Sequence, residues 1–171
     1  MALAALAGYV DAVGFVATGG FFVSFMSGNS TRVAVGLADA LSAARIAGGL
    51  IAAFVVGVMA GSLVARRARR GRARAVLLLV AALLACAAGV GHVAAPAFAI
   101  PLLAAAMGAE NAVFEREGEV SIGVTYMTGS LVKLGQRLTA ALLGEQPLAW
   151  VPYLTLWLGL VSGAVAGALA Y

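Results

Sequence analysis

Seven apolar blocks, several of them about twenty residues long, occupy this chain of 171 residues and leave little between them. They run over about 1–16, 20–41, 43–65, 75–93, 97–114, 120–143 and 148–170. About 20 apolar residues of helix cross a bilayer core. The blocks therefore constrain the fold more than any motif does: they predict a chain whose solvent is lipid. Composition agrees. The chain is 63% hydrophobic and 11% charged, against about a quarter charged in water-soluble domains. A soluble enzyme, a nucleic-acid binder and a disulfide scaffold are excluded; Cys86 is the only cysteine. The net charge of +4 does not point to DNA or RNA. Six of the eleven basic residues (Arg66, Arg67, Arg69, Arg70, Arg72 and Arg74) crowd one loop. By the positive-inside rule that loop, 66–74, is expected in the cytoplasm.

The first block begins without a basic stretch and carries Asp11 among apolar residues, so it reads as a span and not as a cleaved signal. The whole of 1–171 is expected to form one transmembrane domain. Within it, Ser24-Phe25-Met26-Ser27-Gly28-Asn29 matches Thr125-Tyr126-Met127-Thr128-Gly129-Ser130, and Arg32 falls on Lys133. Upstream, Gly8-x-x-Asp11-Ala12-Val13 answers Gly108-x-x-Asn111-Ala112-Val113. Downstream, Gly57 and Gly61 are set against Gly159 and Gly163. The expected fold is an all-α polytopic membrane protein. Two three-segment repeats, about 1–65 and 96–171, are joined by a connecting helix over about 75–94.

These residues resemble the YoaK-like family of bacterial inner-membrane proteins along essentially the whole chain. The family's first motif usually reads Thr-Gly-Asn, and Ser27-Gly28-Asn29 keeps the hydroxyl. The resemblance implies a polytopic inner-membrane protein, commonly of six helices. It implies no activity, because the family is a domain of unknown function.

The second and sixth blocks are the expected site. Phe21–Met26 and Val120–Tyr126 are rich in β-branched and aromatic residues, which favour extended backbone. Ser27, Asn29 and Thr128 are N-cap types, so each motif is expected to interrupt its segment and start a half-helix. Such half-helix starts hold solutes in many transporters. Asp11, Ser27, Gly28, Asn29, Asn111, Thr128, Gly129 and Ser130 are the candidate substrate-binding residues, with Arg32 and Lys133 balancing charge. Asp11 is costly in lipid, by about 2.5–3.5 kcal/mol on insertion scales, so it is read as a proton or cation carrier or as a structural partner of Arg32, Lys133 or Asn111. Glu110, close to the charged run 115–119, is expected near the interface in a structural role. His92 falls in a turn, and no cluster has metal-ligand spacing. No nucleophile, histidine and acid sit at catalytic spacing, so no catalytic residue, metal or cofactor is expected.

Two functions follow. One is a small secondary transporter or permease for a small-molecule or ion solute. The other is a membrane scaffold or partner subunit. The glycine ladders Gly49, Gly57, Gly61 and Gly159, Gly163, Gly167 give smooth helix faces. These would pack the third block on the seventh or form a homodimer. If the second and sixth blocks span, there are seven crossings and parallel repeats, with the N-terminus outside. If both re-enter, there are five crossings and inverted repeats.

Overall fold

A computed structural model describes residues 1–68, 71–93, 96–116, 119–120 and 127–171. Its helices are α1 (Ala2–Thr18), α2 (Met26–Asp39), α3 (Leu41–Arg67), α4 (Arg72–Val93), α5 (Pro96–Glu110), α6 (Met127–Leu142) and α7 (Val151–Ala170). A 3-10 turn over Asn111–Phe114 leads to a short antiparallel pair, β1 (Glu115–Arg116) with β2 (Glu119–Val120). The run expected to be a plain solvated loop thus contains paired backbone. Helices α3, α4 and α7 are long and apolar enough to cross a membrane; α1 and the stretch 98–114 are shorter and equally apolar.

The buried core is made largely of small side chains, among them Ala4, Ala7, Ala47, Ala65, Ala104, Ala106 and Ala109. The large ones face outward: Val55, Val56, Met59 and Leu63 on α3, Leu78 on α4, Leu158, Val165 and Leu169 on α7. Lipid supplies no hydrophobic drive between helices, so small residues that permit close backbone approach set the interfaces. The contacts are specific. A Cβ added at Gly57 or Gly61 would strike the carbonyls of Ala105 and Ala109, and one at Gly163 or Gly167 those of Ala5 and Tyr9. The third block's ladder therefore packs on the fifth block, and the seventh block's on the first. The expected pairing of the third block with the seventh is not the one adopted. In both pairs the contacts advance in the same direction along both helices, so α3 runs parallel to α5 and α1 parallel to α7.

Helix α1 stops where Gly19 takes a left-handed conformation (φ 69°) and the amide of Gly20 reaches back to the Phe15 carbonyl at 2.8 Å. The chain then reverses. Val23 lies on Gly14, and the amides of Val23 and Ser24 reach Asp11, so 20–24 runs back down α1. It turns again at Ser24–Met26, and α2 climbs beside it. Asn29 bonds to Phe22, and Arg32 lies over the Phe21 ring, 4.8 Å from its centre. The far ends of α1 and α2 are consequently on one side of the molecule. There α3 begins, with Gly36 closely packed on Ala44. This makes α1 antiparallel to α3.

The expected caps differ. Phe25 precedes α2 with no side-chain cap, and Ser27 and Asn29 lie inside the first turn. Asn29 is not available as a cap because its amide is committed to Phe22. Thr128 is the second residue of α6. The expected extended run Val120–Tyr126 lies outside the described residues from Ser121 onward.

Candidate functional site

The starts of α2 and α6 meet. Ser24, Phe25, Met26 and Ser27 on one side and Met127 and Thr128 on the other, with Phe54 of α3, line a cavity of about 230 Å³ that opens outward where Phe25, Ser27 and Thr128 are exposed. Phe54 is the middle residue of α3, so this cavity lies halfway along the longest helix. Two sequence stretches about a hundred residues apart thus place their hydroxyls, Ser27 and Thr128, in one small space between aromatic rings and two methionines. The N-terminal turns of two helices also leave amide dipoles pointing at it, a partial positive charge at each helix start.

Asp11 and Asn29 act on the backbone that forms the wall of this cavity. One carboxylate oxygen of Asp11 accepts both the Val23 and the Ser24 amide, each at 2.8 Å. Asn29, fully buried, accepts the Phe22 amide at 3.0 Å and donates to the Phe22 carbonyl at 2.6 Å. Together they satisfy the polar groups of a segment that has no strand partner, and unpaired backbone is costly in an apolar setting. The rings of Phe15, Phe22 and Phe25 stack in series against this segment, with centres 5.0 and 5.2 Å apart.

The other predicted residues are placed as follows. Gly28 and Arg32 line a separate cavity of about 470 Å³ toward the start of α3, with Thr31 and Asp39. Asn111 is buried in the 3-10 turn, its amide donating to the Met107 carbonyl at 3.0 Å. Ser130 is buried and Gly129 half-buried on α6. Lys133 is exposed. Among the described residues no ion pair joins Asp11 to Arg32 or Lys133; Arg32 instead uses the face of Phe21.

Glu110 departs most from the sequence reading. It is fully buried, not interfacial, and neither carboxyl oxygen has a hydrogen-bond partner among the described residues. It follows Gly108, which packs on Phe54 and Val58, and Ala109, which packs on Gly61, so it lies between the middle of α3 and its arginine-bearing end. The sequence signal was its place two residues after that helix-packing glycine; the charged run that follows masked it. No group of three or more metal-ligating acidic, histidine or cysteine residues occurs among the described residues.

An apolar outer surface, a small-residue interior and long helices define a multi-pass helical transmembrane protein. The chain belongs to the family described as "Protein of unknown function (DUF1275)", whose model matches residues 1–171. It is similar to "UPF0700 transmembrane protein RA0705" of Rhizobium meliloti (strain 1021), at 41% identity over 167 residues, covering 98% of this chain and 72% of that protein. No solved structure matches the chain.

Proposed function

We infer that this protein is a small secondary transporter or permease of the bacterial inner membrane, not an enzyme, with its solute site where the starts of α2 and α6 meet. One observation carries the reading: the two matching motifs share one mid-depth cavity lined by Ser24, Ser27 and Thr128. Paired half-helix N-termini at the centre of a bilayer suit a small polar or anionic solute. No described residue that lines the cavity carries a carboxylate, which fits that preference.

The packing favours inverted repeats and five crossings. Gly8 abuts Leu160 and Ala164, and Gly108 abuts Phe54 and Val58. Gly57 and Gly61 meet Ala105 and Ala109 as Gly163 and Gly167 meet Ala5 and Tyr9. One relation exchanges α1 with α5 and α3 with α7 throughout, and it sets Gly57 against Gly163, one turn from the sequence alignment. Because α1 is antiparallel to α3, and α3 is parallel to α5, that relation inverts the two halves. Helix α2 re-enters from the side opposite the arginine loop, and α6 from the loop side. With the loop at 66–74 in the cytoplasm, α1 begins in the cytoplasm and α7 ends outside it.

The scaffold or homodimer alternative loses support, since Gly57, Gly61, Gly163 and Gly167 are spent on contacts within the chain. The test is a ligand-stabilisation screen of the purified protein with small anions and neutral polar solutes. A true ligand raises the melting temperature of the wild type, because it binds the native state, and does not raise that of Thr128→Phe, which fills the cavity. A wild type that no solute stabilises and that carries no flux in liposomes refutes the reading.

A further inference from the structure

Glu110 is a carboxyl inside the helix bundle of a membrane protein, beside the contact of Ala109 with Gly61, with no exposed surface and no hydrogen bond on either oxygen among the described residues. Among the described residues its surroundings supply no counter-charge. Helices α1, α3 and α4 and the 3-10 turn pack against α5. On α3, Arg45, Arg66 and Arg67 are exposed at the two ends; on α4, Arg72, Arg74 and Cys86 are exposed and His92 is exposed in the last turn. On α1, Tyr9 opens to the outside and Asp11 is bonded to the amides of Val23 and Ser24. The turn itself carries Asn111 and no charge. Along α5, Glu110 shares a face with Met107 and Leu103, spaced by three and four residues, and Met107 is fully buried.

An ionised carboxylate sealed in such a place costs far more than any packing around it returns. A bound metal cation would need several oxygen ligands, and no group of three or more acidic, histidine or cysteine residues is gathered among the described residues. A proton needs only the carboxyl itself. We propose that Glu110 is the intramembrane proton-binding group of this chain: it holds one proton in the sealed arrangement and exchanges it when the packing around α5 opens. What that proton is coupled to rests on the transport reading above; its binding does not.

The experiment uses the full chain in liposomes at neutral pH. Infrared difference spectra between wild type and Glu110→Gln are expected to show a protonated carboxylic C=O stretch that only the wild type has. An ionised carboxylate band in its place overturns the proposal. On the wild type alone, dicyclohexylcarbodiimide reports exchange. The carboxyl oxygen bonds to the carbodiimide carbon, the proton passes to nitrogen, and an acyl shift leaves a stable N-acylurea with nothing lost. One adduct mapping to Glu110, unaffected by sodium chloride, is expected. An adduct suppressed by sodium makes this a cation site and overturns the assignment. Absence of any adduct at Glu110 overturns exchange. Both readouts stand even if no solute moves, so failure of the transport reading is separately visible.

Discussion

Removing the Asp11 carboxylate should unfasten the wall of the central cavity, and the size of the effect follows from what Asp11 holds. One of its oxygens receives two amides at 2.8 Å, from Val23, which is fully buried, and Ser24, which is 4% exposed. Asp11→Ala leaves both without an acceptor where water does not reach. An orphaned buried donor costs about 1–3 kcal/mol, so two cost about 2–6 kcal/mol. If the segment springs loose and finds other partners, the loss falls toward the value of the bonds alone, about 0.6 and at most about 1.7 kcal/mol each in membranes. Asp11→Asn keeps an acceptor oxygen in the same position and should lose much less. The assay is reversible unfolding of the purified protein in mixed detergent, read by tryptophan fluorescence, for wild type and both variants. An alanine variant as stable as wild type refutes the anchoring argument. An asparagine variant as damaged as the alanine one shows that charge, not acceptor geometry, matters at this site.

Other expectations are quicker to check. Gly163→Val and Gly57→Val should each separate a helix pair and abolish a folded, monodisperse product in size-exclusion chromatography, because the new side chain meets backbone carbonyl. Gly48→Ala and Gly49→Ala meet nothing within 4 Å, and each should instead stabilise its helix by about 0.8–1.0 kcal/mol, measured by the same unfolding assay. An alkaline-phosphatase fusion after Tyr171 should be active and a fluorescent-protein fusion before Met1 should glow; the opposite pattern would favour seven crossings. Asn29→Ala should lower stability by about 2–6 kcal/mol, since it strands the Phe22 amide and carbonyl together, each at about 1–3 kcal/mol.

The membrane class and the seven helices were legible because they depend on composition and block length. Other features were not, for identifiable reasons. Asp11 invited a charged partner, and Arg32 and Lys133 were available; its actual partners are amides, which every residue carries and no sequence pattern marks. The glycine ladder repeats every four residues, so sliding it by one helical turn leaves glycine matched to glycine. Contacts with Ala5 and Ala105 break that degeneracy. Glu110 stands close to Glu115 and Arg116 in sequence, and its burial comes from the packing of α3 and α4 on α5, which no local pattern marks.

The parallel pairing of α1 with α7 has a consequence for how the protein is made. The helix that covers α1 begins at Val151, more than 130 residues after α1 ends at Thr18. At about 5–20 residues per second, α1 waits on the order of ten seconds in the membrane with the face that carries Gly8 uncovered. Helices α3, α4 and α5 follow one another closely and can settle first. Assembly should therefore proceed from the middle of the chain outward. Helix α7 then closes on α1, and an interrupted synthesis leaves a ready substrate for membrane proteases.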